Sequence, residues 1–457
     1  MDSMDLMEQK NRFDINDVVG GNKNTELKID QSLLEKATRI VLKEMTEYKG
    51  TPKEIEIHNE MLVRCAMGDK NAQLQVKAMI KKIIEKDYEL AKPPLSDQLV
   101  EEIYANNYGL GVIDDLYNDK SINEIWVNGW DHVWVEKGGF KYRLKDKKFK
   151  NDEDIIRIIR LLLQFDRKEI NEKKPMEECR MLDGSRVAVL IPPVSKRPNI
   201  NIRKFEAFDV TTENLIKAGT ITQEMVDWLA KAVKGRSNIL IIGETSAGKT
   251  SFLKWLVGLM DPNLRLGTIE TTFELKLDEK YPDRNIFSYE EHPELGITMS
   301  DLFKKCLRSS PDIIICGEAR GEEADELIRA MRRGHPGSIG TVHSNSPETV
   351  IDDVAEMINE DGKRRDPIQL RFRVASALDL IIQIRRFEDT GVRRVTRITE
   401  VISDPETLKY SMNDIFRYEV NPKDPSKGWF KKVGKISETL KKKLNFFGVP
   451  EKDLQDM

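Results

Sequence analysis

The sequence predicts an α/β protein whose largest part is a parallel sheet with helices on both faces. Between residues 222 and 386, short apolar runs alternate with segments whose apolar residues recur at helical spacing, a pattern typical of such a sheet. A loop containing two glycines joins the first apolar run to a helix-like segment at 251–260. The strands that we expect are 238–242, 264–270, 312–316, 338–343 and 378–384.

Two further folded regions are predicted before this sheet. From 29 to 118, apolar residues recur at three- and four-residue steps, which indicates a helical N-terminal region. From 119 to 208 the pattern is that of a compact α+β domain. Its expected elements are strands at 125–129, 132–136, 186–191 and 199–205 and a helix at 155–163.

The remaining segments are polar, and we expect them to connect or flank the folded regions. They are a flexible tail at 1–28, a linker at 209–221 and a basic C-terminal tail at 431–457, where lysines are frequent. The sheet domain then occupies 222–430.

Composition and charge exclude several classes of protein. The 457 residues are 39% hydrophobic and 33% charged, which is typical of a globular chain with two or three domains. A net charge of −4 argues against a protein that coats duplex nucleic acid. The four cysteines lack metal-ligand spacing, so a zinc module is not expected. No apolar run approaches the ~20 residues of a membrane helix, and the N-terminus lacks the apolar core of a signal peptide.

The loop after the first strand has the composition of a phosphate-binding loop, or Walker A motif. Its glycines let the backbone wrap so that N–H groups point at an anion, and the following helix adds its positive end. Lys249 can reach the β- and γ-phosphates, and the Thr250 hydroxyl can bind Mg²⁺. The sequence therefore predicts binding of ATP with Mg²⁺, the alternative being an ordinary glycine turn. The expected binding residues are Gly243, Glu244, Thr245, Ser246, Ala247, Gly248, Lys249, Thr250 and Ser251.

Acids at the ends of two other strands are candidates for catalysis beside that loop. Glu318 follows the strand at 312–316 and is placed to orient an attacking water, although Gly317 stands where many phosphate-loop proteins have aspartate. Glu270 ends the strand at 264–270, at the edge where ligands bind in open α/β sheets. The alternatives are a helix cap for Glu318 and a solvated turn for Glu270.

Charged and titratable side chains elsewhere complete the set of candidates. His343, at the end of the strand at 338–343, can donate a hydrogen bond to a γ-phosphate, or it can be a structural histidine. A phosphoryl-transfer site also gains much of its charge stabilisation from arginine. The candidates are Arg180, Arg186 and Arg203 outside the sheet domain and Arg320 within it, and spacing alone does not choose among them or exclude a surface role.

The order of these motifs resembles the type II/type IV secretion ATPases, and the branch most similar is that of the CpaF-like ATPases of tight-adherence pili. The resemblance covers about 99–430 and rests on the phosphate loop and several blocks of sequence. It departs at Thr271, where the family usually has aspartate, so Glu274 is the next acid along the chain. The chain also lacks the tetracysteine insert of the type II branch. The supporting blocks are 122–129, 181–187, 191–193, 202–205, 268–270, 317–321, 334–345, 375–380 and 393–401.

The resemblance implies a RecA-like P-loop NTPase core and a homohexamer that hydrolyses ATP held between the N-terminal domain and the core. The expected work of that motor is pilus assembly, protein secretion or conjugation. It implies Glu318 as the catalytic glutamate, Glu270 as an acid near metal and water, and His343 as a phosphate contact. The arginines Arg180, Arg186 and Arg203 are implied as further phosphate contacts.

The partner that the resemblance implies is a polytopic platform protein at the cytoplasmic face of the inner membrane. Two alternatives stay open at this point. A nucleic-acid motor is suggested by clusters of basic residues, although the balanced charge argues against nucleic acid as a partner. The basic residues are those at 332–333, 363–365, 371, 373, 385–386 and 393–394. A nucleotide-binding regulator with weak hydrolysis is suggested by Thr271.

Overall fold

A computed structural model describes residues 30–66, 68–164, 168–204, 210–321, 323–360, 362, 365–387 and 390–457. The tail predicted at 1–28 lies outside these residues, as does the end of the strand predicted at 199–205. Backbone contacts divide the chain into two compact units. The first comprises the described residues up to Asp115 together with Ile156–Ile170, and the second comprises Leu116–Ile155 and Asn171–Met457.

Four helices form most of the first unit, as the three- and four-residue spacing predicts. Side chains of all four meet in one apolar core that includes Val41, Cys65, Ile80 and Ile103. Aspartates accept hydrogen bonds from the first-turn N–H groups of two of the helices, which fixes where those helices begin. The helices are α1 (Gln31–Thr46), α2 (Pro52–Ala66), α3 (Lys70–Ile84) and α4 (Leu95–Asn107).

Two helices cross the boundary between the units along the chain: α5 (Asp114–Asn118) and α6 (Asp152–Gln164). The second unit contains a six-stranded antiparallel sheet in the order β3-β2-β1-β6-β5-β4. The side chains of β3 are mostly exposed, which explains why no alternating pattern predicts that strand. The strands are β1 (Ile122–Asn128), β2 (Val133–Lys137), β3 (Phe140–Leu144), β4 (Met176–Arg180), β5 (Arg186–Leu190) and β6 (Asn199–Arg203).

A nine-stranded sheet forms the rest of the second unit, in the order β15-β14-β13-β12-β7-β11-β10-β8-β9. The six strands from β12 to β9 are parallel, as the alternating pattern predicts, and β13 to β15 extend the sheet antiparallel. The strands are β7 (Ile239–Ile242), β8 (Leu266–Glu270), β9 (Ile286–Glu290), β10 (Ile313–Cys316), β11 (Ile339–Val342), β12 (Leu380–Arg386), β13 (Arg393–Asp404), β14 (Lys409–Asn421) and β15 (Asp424–Lys432).

Apolar side chains leave this sheet on both faces. Along β7, Ile239 and Ile241 join one buried cluster while Leu240 and Ile242 join another, so helices cover both sides. One strand, β11, separates β7 from β10, which is the strand order of a RecA-like core and confirms the predicted fold class. The helices along this part of the chain are α7 (Thr212–Lys217), α8 (Gln223–Lys234), α9 (Lys249–Gly258), α10 (Leu277–Lys280), α11 (Met299–Leu307), α12 (Glu323–Arg332), α13 (Pro347–Asn359) and α14 (Pro367–Ala375).

The prediction of a basic tail at 431–457 is wrong. The segment forms α15 (Glu438–Phe446) and α16 (Glu451–Leu454), and Leu440, Leu444 and Met457 are buried in the core. Frequent lysines obscured an amphipathic pattern in which leucines four residues apart face inward. The segment predicted as a linker likewise contains a helix, α7, which Thr211 caps.

Within the described ranges, no helix is long and apolar enough to cross a membrane. The four cysteines are all buried. The part of the chain that the structure describes contains no cluster of three or more His, Cys, Asp or Glu side chains arranged to hold a metal ion.

Candidate nucleotide site

Four parallel strands bring the predicted site residues to one edge of the nine-stranded sheet. β7 leads into the phosphate loop, β11 into His343 and β10 into Glu318, while Glu270 is the last residue of β8. The carboxyl ends of parallel strands share an edge, so Lys249 and His343 become neighbours although they are 94 positions apart in sequence.

The phosphate loop adopts backbone angles that its glycines permit. Gly248 has φ 97° and Gly243 has φ 151°, and a β-carbon on Gly243 would collide with the carbonyl oxygen of Ile384. Ser246 also lies in the left-handed region, with φ 61°. The loop ends where α9 begins at Lys249, so the positive end of that helix faces the space that the loop encloses.

Lys249 is buried and folds back over the loop. Its Nζ donates hydrogen bonds to the carbonyl oxygens of Gly243 (2.9 Å) and Glu244 (3.0 Å) and lies 3.2 Å from Nδ1 of His343. Burial lowers the pKa of the lysine to about 8, against the opposing attraction of Glu318. A phosphate anion would offer this amine stronger acceptors than the two carbonyls.

Glu318 and His343 are in contact. Nε2 of His343 lies 2.8 Å from Oε1 of Glu318, although the two atoms are not aligned for a hydrogen bond. Burial and the charge of Lys249 together lower the pKa of His343, which favours a neutral imidazole at pH 7. Nδ1 of His343 can therefore accept a hydrogen bond from the Lys249 amine.

Arg320 holds the other oxygen of Glu318. Its guanidinium donates to Oε2 at 2.6 Å. Burial raises the pKa of Glu318, but the hydrogen bond from Arg320 and the nearby positive charges outweigh it, and the net pKa is lowered. Glu318 is therefore ionised at neutral pH, as a residue that orients water must be. Glu318 thus contacts Arg320 and His343. The turn before α12 is held by Glu323, whose carboxylate accepts from the N–H groups of Arg320 and Gly321.

Glu270 is 2% exposed, so the alternative of a solvated turn does not describe it. Its Oε2 accepts hydrogen bonds from the backbone N–H groups of Glu274 and Leu275, both at 2.8 Å. Among the described residues its Oε1 has no partner, and burial raises the pKa of the acid to about 7. A β-carbon on Gly317 would lie 3.0 Å from Cγ of Glu270, which explains why glycine precedes Glu318.

The arginines of the six-stranded sheet pair with acids other than Glu318. Arg180 contacts Glu290 at 2.5 Å and Arg186 contacts Glu274 at 2.7 Å. Arg203 lies at the end of β6 with about half of its side chain exposed and its Nε 4.0 Å from Glu124. Its positive charge nevertheless contributes to lowering the pKa of Lys249, so Arg203 is close enough to act on the loop.

One contact to the loop was not predicted from the sequence. Arg393, the first residue of β13, donates from Nε to the carbonyl oxygen of Ser246 at 3.3 Å. The sequence placed it only in a basic cluster and in one block of the family resemblance. The short connection at 387–392, which contains Gly391, could have indicated that β13 pairs with β12 as a hairpin. No spacing, however, indicates that the first residue of β13 contacts the phosphate loop.

Residues 106–408 match the family described as type II/IV secretion system protein. The chain belongs to this family. It is similar to the uncharacterized protein MJ0781 of Methanocaldococcus jannaschii, 33% identical over 55% of this chain, and it spans 36% of that protein's length. It is also 26% identical to the type IV secretion system protein VirB11 of Bartonella quintana, over 64% of this chain and 91% of VirB11.

Among solved structures, the chain resembles the VirB11 ATPase from the Brucella suis type IV secretion system in complex with sulphate. The identity is 24%, the match covers 65% of this chain and 98% of that one, and the TM-score is 0.36. The family is therefore established by the sequence match, while the finer CpaF-like assignment is not decided by it.

Proposed function

We propose that this protein is an ATP-hydrolysing motor that powers pilus assembly, protein secretion or conjugation, most similar to the CpaF-like branch. The observation that carries the proposal is the contiguous set of Lys249, His343 and Glu318 at the loop, in a chain of the secretion family. An amine that can bind phosphate and an ionised acid that can orient water are groups that hydrolysis of a phosphoanhydride uses, and an imidazole beside them can donate a hydrogen bond to a phosphate oxygen.

The residues fit a triphosphate. The loop N–H groups and the start of α9 supply donors, and the Lys249 amine, held in the described structure by carbonyl oxygens, can turn to the β- and γ-phosphates. Glu318 would accept a hydrogen bond from the attacking water and so orient it. His343 and Arg320, which contact Glu318, would lie close enough to the γ-phosphate to donate hydrogen bonds to it. Arg203 is the strongest candidate among the three arginines of the six-stranded sheet, because Arg180 and Arg186 already form close ion pairs with acids while Arg203 lies 4.0 Å from its acidic partner. Its charge also contributes to lowering the pKa of Lys249.

A magnesium ion also fits the donor set. The described residues contain no three-acid cluster, so the cation would be held by the Thr250 hydroxyl, phosphate oxygens and water. Bound there, Mg²⁺ would neutralise charge that develops on the phosphates. Glu270, buried with one oxygen unpartnered in the described structure, would orient the backbone at 274–275 and contact water of that shell.

The family suggests the setting. VirB11 is named as a type IV secretion system protein, and we propose the same kind of work for this chain: a homohexameric ring bound to the cytoplasmic face of the membrane through a polytopic platform protein. The nucleic-acid alternative is weakened because several arginines of the basic clusters pair with acids, among them Arg371 with Asp352 and Arg373 with Asp325. Those pairs leave less free charge for a phosphate backbone.

The test is steady-state phosphate release from purified full-length protein with ATP and Mg²⁺. We expect Lys249→Ala to lose nucleotide binding, and Glu318→Gln to bind ATP but to turn over at least about a hundredfold more slowly, as general-base loss predicts. The matched controls are the exposed Lys217→Ala and Glu348→Gln, which should retain wild-type rates. Equal turnover in Glu318→Gln and wild type would refute the assigned mechanism, and a wild type that binds no ATP would refute the function.

The oligomer is tested separately. Light scattering after size-exclusion chromatography, with and without a non-hydrolysable ATP analogue, should give six times the 52.7 kDa chain mass. A monomer under both conditions would contradict the ring. Stimulation of turnover by single-stranded DNA that is lost with rising salt would favour the nucleic-acid motor instead.

A further inference from the structure

Two hairpins of the second unit meet through glycines. The β2–β3 turn contains Gly139, and the β12–β13 turn contains Gly391. A β-carbon on Gly391 would lie 2.6 Å from the carbonyl oxygen of Gly138, and one on Gly139 would collide with the backbone of Gly391. The two backbones are therefore in direct contact, at a distance that side chains would prevent.

A buried ion pair holds the same junction. Arg386, at the end of β12, lies 3.2 Å from Oε1 of Glu136 on β2 and also donates to the carbonyl oxygen of Gly139. Glu136 is 4% exposed and the Arg386 side chain is 14% exposed. Removing either partner of an ion pair as buried as this one would strongly destabilise the fold, because the other partner would be left as an unpaired buried charge.

The other side of the β12–β13 hairpin touches the phosphate loop. Arg393 donates to the carbonyl oxygen of Ser246, and its Cδ lies 3.2 Å from the position of a β-carbon on Gly248. The carbonyl of Ile384 fills the space beside Gly243. The two strands of the β12–β13 hairpin therefore contact opposite ends of the phosphate loop: β12 packs against Gly243, and β13 packs against Ser246 and Gly248.

From this chain of contacts we infer that the β12–β13 hairpin couples occupancy of the phosphate loop to the docking of the β2–β3 hairpin, with Arg393 as a positioning residue. The inference rests on the proposed function, because it requires that the loop bind nucleotide. It adds a route within one chain by which the nucleotide acts on the six-stranded sheet.

The electrostatics agree with a junction that responds to an anion. Burial lowers the pKa of Arg393, and the positive charges of Arg386 and Arg203 lower it further, so both arginines lie close to it. The negative charge of Glu136 acts in the opposite direction. A phosphate in the loop would add negative charge beside these cations and draw Lys249 away from the carbonyls that it now holds. The Ser246 carbonyl, held by Arg393, would move with the loop.

The experiment is hydrogen exchange of the amides at 133–144, with and without saturating non-hydrolysable ATP analogue, in wild type and in Glu136→Gln. Wild type should show slower exchange there when nucleotide is bound, by about fivefold or more for a typical coupling free energy. Glu136→Gln should lose that response and, by linkage, bind the analogue more weakly by the same factor. The matched control is Glu279→Gln, which removes an acid whose side chain is 67% exposed and should respond as wild type does.

Further variants separate positioning from simple loss of stability. If Glu136→Gln fails to fold, Glu136→Asp takes its place in the test. This variant keeps the negative charge but moves it away from Arg386 by one methylene, so the nucleotide-dependent change in exchange should be smaller than in wild type. Arg393→Met should weaken binding of the analogue about tenfold through the lost charge-assisted hydrogen bond, and Arg393→Lys should restore part of it. A purely structural role would change the melting temperature without changing the nucleotide-dependent exchange.

The outcomes distinguish this inference from the proposed function. If Glu136→Gln binds the analogue and its amides at 133–144 respond as those of wild type do, the coupling is refuted and the ATPase stands. If wild type binds no nucleotide, the proposed function falls and the coupling falls with it.

Discussion

Replacing Glu270 with glutamine tests how the edge of the nine-stranded sheet holds a buried acid. Burial raises the pKa of this acid from an ordinary 4.5 to about 7, even though two backbone N–H groups partly stabilise its charge. Each pKa unit corresponds to 1.36 kcal/mol, so ionised Glu270 costs the folded state about 3 kcal/mol. Glutamine keeps an oxygen for the N–H groups and carries no charge.

The sign of the pH dependence follows from proton binding. Between pH 4.5 and 7 the folded protein retains the Glu270 proton and the unfolded chain has released it, so the free energy of unfolding falls as pH rises. Glu270→Gln lacks this contribution. Relative to wild type, the variant should therefore gain about 1.4 kcal/mol per pH unit between pH 5 and 6.5 and then level off above pH 7.

Urea denaturation followed by tryptophan fluorescence at pH 5, 6, 7 and 8 measures this difference directly. The control Glu279→Gln removes an acid whose side chain is 67% exposed, and its difference from wild type should stay flat with pH. If the curves for Glu270→Gln and wild type run parallel across this range, the acid is not held protonated by burial and the reasoning is refuted.

Three further predictions concern the loop and the C-terminal helices. Because Lys249 has a pKa of about 8, calorimetry should show ATP affinity falling as pH rises from 7 to 9 as the amine loses its proton. Lys443→Met should lower the free energy of urea unfolding by about 2 kcal/mol, because Asp379, whose pKa burial raises, loses its counter-charge; both side chains keep some exposure, which reduces the effect. Gly235→Ala should cost about 1–3 kcal/mol in the same assay, because the new methyl would lie 2.9 Å from Cα of Leu444.

Each of these has a matched control or a contradicting result. Lys249→Arg should bind with little dependence on pH, since guanidinium keeps its proton throughout this range. Lys442→Met removes an exposed lysine from the same helix and should leave unfolding unchanged. An unaltered midpoint in Gly235→Ala would mean that α15 does not pack on that glycine as described.

The sequence predicted the site where the signals are local and the topology is simple. The phosphate loop lies within eight residues between a strand and a helix. Glu318 and His343 follow apolar runs that the alternating pattern predicts as strands of a parallel sheet, and these runs form the neighbouring strands β10 and β11. Glu270 was predicted at the same edge, although its burial and its hydrogen bonds to 274–275 depend on a turn that no spacing reveals.

The parts that were not predicted depend on contacts between distant residues. The exposed strand β3 and the antiparallel strands β13 to β15 lack a strong pattern of their own, and lysines hid the leucines of α15. Arg393 reaches Ser246 only because β13 pairs with β12, which pairs with β7. Apart from the tail at 431–457, the predicted domain boundaries stay predictions, as do the roles of the individual site residues.

The position of β7 within its sheet has a consequence for synthesis of the chain. Its two neighbours are Ile339–Val342 and Leu380–Arg386, so the strand that leads into the loop pairs only with segments translated long after it. Closing such long loops is slow and entropically costly. On the ribosome, Ile239–Ile242 would therefore emerge well before either flanking strand has been synthesised. We expect the nascent chain to bind a triphosphate only after residues near 386 have left the exit tunnel.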